Sequence, residues 1–125
     1  MTGQPVPGSR MTIFLTEDDR YGHRALSDVI LDRAREDALS GATVWRGVEG
    51  FGSSGRLRSD RFPDAGQGMP VVVEVVDTGD RIEGFLPVVV ELAPGSLVVV
   101  EPVQVTRRAG SVLLALDDPE DRPPI

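Results

Sequence analysis

The chain contains no cysteine and no lysine. Without cysteine there can be no disulfide, no thiol nucleophile and no cysteine-based metal site, and the composition fits a cytoplasmic protein. Without lysine there can be no Schiff base and no phosphate loop of the kind that depends on that amine. Histidine, tryptophan and tyrosine occur once each, so a transition-metal site built on imidazoles is not expected. No apolar run approaches the ~18–20 residues of a membrane span; Val71-Val72-Val73 and Leu97-Val98-Val99-Val100 are strand-sized. The opening "MTGQPVPGSRM" lacks the apolar centre of a signal peptide. Positive charge is the minority sign: 13 basic residues, all arginine, stand against 20 acidic ones, for a net charge of −7. Nucleic-acid binding, which needs a basic footprint, is therefore not expected.

What is present is the pattern of one α+β domain. Residues 1–10 hold Gly3, Pro5, Pro7 and Gly8 and read as a disordered arm. "MTIFLT" (11–16) is a short β-prone run, followed by a polar loop, "EDDRYGHR", whose Asp18 and Asp19 read as solvated. Leu26, Val29, Ile30, Ala34 and Ala38 recur at helical spacing, with Gly41 as the stop. "ATVWRGV" (42–48) alternates as a strand, with Trp45 expected to pack in the core, and "PVVVEVVD" (70–77) is a third strand. A second helix is expected from Asp80, capped by that residue and kinked at Pro87. "SLVVVEPVQVTR" (96–107) is a fourth strand, with Pro102 marking a sheet edge or bulge. "SVLLAL" (111–116) reads as a short extra strand, and "DDPEDRPPI" as an acidic disordered tail.

The order β-α-β, long loop, β-α-β predicts a ferredoxin-like (βαββαβ) sandwich over residues 11–108: one antiparallel sheet with two helices on one face. The third and fourth strands are apolar at nearly every position rather than alternating. Strands buried on both faces read this way, so association through the open face of the sheet is expected.

The loop at 49–68 begins with "GFGSSG" (50–55), a literal G-x-G-x-x-G. A dinucleotide-binding turn would need a helix directly after these glycines. "RLRSDRFPDAGQG" has no apolar stripe and contains Pro63, so that reading fails. Twenty residues without period between two strands that a tight turn would join are more than a connection needs. Arg56, Arg58 and Arg61 gather within six residues that hold one acid, Asp60. Glycine-freed amides beside guanidinium groups suit an anion. A solvated loop that keeps its arginines for solubility fits the residues equally well. His23 stands alone in a polar loop, and the loop serines have no evident base, so no catalytic machinery is visible.

"GATVWRGVEGFG", "MPVVVEVVD", "IEGFLPVVVEL" and "DRYGHRAL" resemble the PII-like family catalogued as domain of unknown function (DUF) 190, in the right order from about Met11 to Arg107. "VEGFG" is more distantly similar to the start of the T-loop of nitrogen-regulatory PII proteins. The resemblance implies a homotrimer with the sheets inside and ligand clefts between subunits. It implies a non-enzymatic signalling protein that binds an adenine nucleotide or other small anionic metabolite and changes the shape of its loop to engage a protein target. Family members' association with fluoride-channel proteins points to a membrane transporter or ion channel as that target. No cofactor is implied. Carried over by position, Gly50, Phe51 and Gly52 form the loop base of the site, and Arg107 and Arg108 reach it from the next subunit; Ser53, Ser54 and Arg56 are counted with it as the adjacent loop residues. Ser53-Ser54 replaces the family's arginine-glutamine pair and "APGSLV" replaces its lysine-containing loop, so magnesium–ATP and 2-oxoglutarate sensing do not carry over. A ligand-independent interaction module is the alternative reading.

Overall fold

A computed structural model describes residues 2–61 and 68–108. Strand β1 (Thr2–Thr16) leads through two short strands, β2 (Arg20–Tyr21) and β3 (Arg24–Ala25), into helix α1 (Leu26–Glu36). Strand β4 (Gly41–Arg46) follows, then the short pair β5 (Glu49–Gly50) and β6 (Arg58–Ser59). Strand β7 (Pro70–Asp77), helix α2 (Gly79–Leu92) and strand β8 (Leu97–Arg108) complete the described chain. The sheet order is β4-β7-β1-β8, with each neighbouring pair antiparallel. This is the expected ferredoxin-like arrangement. The expected strand at 111–116 and the acidic tail lie outside the described residues.

The core fills one face of the sheet. Met11, Ile13 and Leu15 of β1 and Val73 and Val75 of β7 meet Leu26, Ile30 and Ala34 of α1 and Ile82, Phe85 and Val89 of α2. Odd-numbered residues of β1 and β7 point to the helices because side chains alternate along a strand. The even-numbered ones form the other face. There the register lines up Leu97, Phe14, Val72 and Trp45 in one row across all four strands. Trp45 is therefore not in the core: it is 57% exposed, with Phe14 at 43% and Leu97 at 63%. In the single chain β7 is covered on one side only, and its near-continuous valines mark a second face that still has water against it.

Residues 2–10 are not a disordered arm. They extend β1, pairing with β8 from Thr2↔Arg108 through Arg10↔Glu101, with an irregularity between Thr2 and Pro5. The β1–β7 pairing begins only at Ser9, so the stretch with Pro5 and Pro7 has a single neighbour strand. A proline that cannot donate is tolerated where half of the backbone groups have no ladder partner to serve. Pro102 likewise sits on an edge strand, as its position in the sequence suggested.

Helix α1 and helix α2 depart from expectation at their ends. α1 stops well before Gly41. Ala38 takes φ +56°, and the N–H groups of Ala38 and Leu39 donate to the carbonyls of Arg35 and Ala34. This is a Schellman closure on alanine, where glycine would be unstrained. α2 is capped by Thr78, whose Oγ1 accepts from the Arg81 N–H at 3.3 Å, and not by Asp80. The helix runs on past Pro87, which lies with Glu83 on the exposed side. The carbonyl that loses its partner there can take water instead. The carboxylate of Asp77, fully buried, accepts from the N–H groups of Ser40 and Thr78 and from Arg81 Nε, tying the exit of α1 to the start of α2.

Candidate functional site: a glycine hairpin at one end of the sheet

The "GFGSSG" stretch opens a hairpin, and no helix follows it. Glu49 pairs with Ser59 and Gly50 with Arg58, and the Asp60 N–H donates to Val48 O at 3.1 Å. At the tip the Gly55 N–H donates to Gly52 O at 2.9 Å, with Gly55 at φ +72°. That sign of φ suits glycine. The Arg56 N–H donates to Ser54 Oγ at 3.3 Å. The region expected to have no order of its own therefore holds a two-stranded ribbon.

The hairpin rests on Pro70. A Cβ built on Gly47 would lie 3.1 Å from Pro70 Cβ, and one on Gly50 would lie 3.2 Å from Pro70 Cγ. The Gly47 N–H donates to Pro70 O at 2.7 Å. These two glycines allow close approach of backbone to ring. Gly52, in contrast, has nothing within 4 Å of its Cβ position and faces open space.

The arginines divide into two kinds. Arg61 donates through Nε and NH2 to Glu49 Oε1, which also accepts from Ser59 Oγ at 2.8 Å. These bonds, the serine's first and the arginine's next, hold the Glu49 carboxyl below the usual carboxylate range. Arg58 NH1 donates to Asp18 Oδ2 at 3.0 Å and to Gly68 O at 2.8 Å. Arg56 makes no side-chain hydrogen bond or ion pair among the described residues. Of the three loop arginines that the sequence offers to an anion, the structure leaves Arg56 open, next to the exposed Phe51 and Leu57.

Glu17 and Asp18 complete the base of the site; the sequence reading missed them, placing Glu17 in a polar loop without a role and taking Asp18 as solvated. Glu17 Oε2 accepts from Arg46 Nε at 3.0 Å, and Oε1 accepts from the Met69 N–H at 2.9 Å. The Arg46 bond, followed by that of Met69, lowers the Glu17 pKa. Asp19 is also engaged, its Oδ2 accepting from the Thr16 N–H at 2.8 Å. The missed signal was position: two carboxylates at the end of a strand, facing a loop whose three arginines lie within six residues.

Gly50, Phe51, Gly52, Ser53, Ser54 and Arg56 are contiguous in the hairpin. Arg107 and Arg108 are not near them within one chain. They end β8 beside Thr2, whereas the hairpin sits beside Pro70, which pairs with Thr16. The 15 residues of β1 separate these two ends, a span of roughly 40 Å or more at about 3.3 Å per residue.

No described helix is long and apolar enough to cross a membrane. Among the described residues, no group of three or more histidines, cysteines and carboxylates gathers at metal-binding distance.

Comparisons with known proteins agree with this geometry. The chain is 34% identical over 76 residues to a UPF0166 protein from Aquifex aeolicus, covering 61% of this chain and 72% of that one. Its fold is similar to a putative PII-like signaling protein from Thermus thermophilus, with a TM-score of 0.57, 19% identity and coverage of 86% and 96% of the two chains. It is also similar to CPII, a nitrogen regulatory PII-like protein from Thiomonas intermedia solved with ADP, AMP and bicarbonate; there the TM-score is 0.52, identity is 22% and coverage is 82% and 91%. A family model described as "Uncharacterized ACR" matches residues 8–105, most of the chain. With a fold similar to those of the two PII-like proteins, the chain belongs to that family, DUF190.

Proposed function

We propose that this protein is a non-enzymatic, PII-like regulator that binds an adenine nucleotide or a similar small anion at a seam between subunits and signals through its hairpin. The observation that carries this reading is the hairpin tip. Bare glycine backbone, two serines and the guanidinium of Arg56, which has no side-chain partner among the described residues, lie together in open solvent on a protein whose net charge is −7. Backbone amides beside arginine attract phosphate. CPII, which shares the fold, was solved with ADP, AMP and bicarbonate.

In this reading the protein is a homotrimer in the cytoplasm. The Leu97–Phe14–Val72–Trp45 row is an exposed apolar strip of the kind that marks an interface. Packing that face between subunits carries Arg107 and Arg108 of one chain to the hairpin of another, which no single chain can do. A ligand that prefers one hairpin position shifts the population toward it and so changes affinity for a protein target, a membrane transporter or ion channel.

A thermal-shift screen of AMP, ADP and ATP, each with and without bicarbonate, tests the binding step. A ligand selective for the folded state raises Tm by mass action. Gly52→Asp, Arg56→Ala and Arg107→Ala should each abolish or reduce that shift while leaving the solution mass unchanged. If no nucleotide shifts Tm, or if the shift survives all three substitutions, the reading fails.

A second reading draws on a different observation. Val48, Phe51 and Leu57 are 65%, 75% and 54% exposed on the same hairpin. Apolar side chains grouped on a projecting ribbon suit direct docking on a partner without any metabolite.

A further inference from the structure

One dipeptide fastens the base of the hairpin. Glu17 and Asp18 leave the end of β1 and turn in front of the segments on both sides of the loop. Glu17 holds Arg46, the last residue of β4, and the Met69 N–H just ahead of β7. Asp18 holds Arg58 of β6, which also reaches Gly68 O. Within the hairpin, Glu49, Ser59 and Arg61 are joined to one another. The ribbon is thus cross-linked internally, and its side-chain hydrogen bond to the end of β1 runs through Arg58.

The two attachments differ in accessibility. The Arg58 side chain is only 15% exposed, but that of its partner Asp18 is 63% exposed. Glu17 and Arg46 are at 39% and 53%. The Arg46–Glu17 pair is exposed and so weakly held and screened by solutes, and the carboxylate half of the Arg58–Asp18 pair stands in water, so an incoming anion can compete with either carboxylate. Gly68 keeps φ +65°, and a Cβ there would collide with Arg58 NH1 and Asp18 Oδ2. The backbone has been shaped around this ion pair.

We propose that Glu17 and Asp18 form an anion-exchangeable latch: they hold the hairpin against the end of the sheet, and it is released when Arg46 and Arg58 trade these carboxylates for an anion from solution. The latch concerns where the hairpin sits, so it stands or falls independently of whether a nucleotide binds at the tip.

The chain has no lysine, so trypsin cuts only after arginine, and Arg56 at the hairpin tip reports on the hairpin directly. In the full-length protein, D18N and E17Q should each raise the rate of cleavage after Arg56, D18N by about tenfold, because a charged hydrogen bond is lost. Hydrogen exchange of the amides in 48–59 should accelerate in parallel, with those of β1 and β7 unchanged. G68A removes no charge and should reproduce D18N. Inorganic phosphate, at ionic strength matched with sodium chloride, should accelerate cleavage of the natural chain about threefold and leave D18N unaffected. The latch is refuted if D18N and E17Q leave the hairpin rates unchanged. It is also refuted if core amides accelerate as much as those of the hairpin, which would mean a merely structural role, or if phosphate acts equally on D18N.

Discussion

The helix-covered face of the sheet and the loop end of the same sheet are held together by different forces. On the helix face, Met11, Ile13, Val73, Val75, Ile82 and Val89 are completely buried, and the one buried carboxylate among the described residues, Asp77, sits at the end of β7 with its hydrogen bonds made. At the loop end, Glu17, Asp18, Arg46, Arg58, Glu49 and Arg61 make directional bonds in reach of water. Close-packed apolar contacts are insensitive to pH and salt, while exposed ion pairs respond to both. One end of this protein is therefore built to stay put and the other to answer its surroundings.

The hardest way to break that contrast is to open the core. Phe85→Ala should cost about 3–5 kcal/mol, lower Tm and urea midpoint together, and expose hairpin and core amides alike. A latch substitution should instead affect the hairpin alone. Next in size is the open face. Trp45→Asp puts a carboxylate into the apolar row; light scattering should then give the mass of one chain, with helix content by circular dichroism retained.

Acid should separate the two regions more gently. The Glu17 pKa is lowered by the Arg46 hydrogen bond first and the Met69 N–H second, with Asp60 also near Arg46. A carboxylate whose folded value is depressed adds stability that is fully present above its unfolded pKa, 4.5, and disappears as pH falls through the lowered folded value. Titration from neutral pH to below 4.5 should loosen the hairpin before the core unfolds, which hydrogen exchange of the amides in 48–59 relative to those of β1 and β7 can follow. The smallest effect is expected at Ala38, where left-handed backbone carries a methyl group. Ala38→Gly should stabilise the fold by about 0.5–1 kcal/mol, read from urea denaturation, with no change at the loop end.

What was legible in the sequence follows the same division. Periodicity in Leu26–Ala34 and Ile82–Val89 and the valine runs of β7 and β8 announced the elements, and those of α1, β7 and α2 the core, because the spacing that marks a buried face repeats within each segment. Residues 2–10 misled because Pro5 and Pro7 speak locally against a strand, while the strand that pairs with them lies near the far end of the chain. The latch was hidden for a similar reason: Glu17 meets Arg46 across 29 positions and Asp18 meets Arg58 across 40. Charged pairs at such separations leave no period to read. Of the site, the hairpin's glycines and serines were visible as a motif, but which arginine remains open depends on partners that only the folded chain brings near.

The contacts of Gly47 and Gly50 with the ring of Pro70 carry one more consequence. Any bulkier residue at either place must push the ring aside, whereas positions 51–57 project where nothing crowds Gly52 or Gly55. Gly55 with its positive φ apart, substitutions can accumulate in the head of this ribbon without unseating its foot.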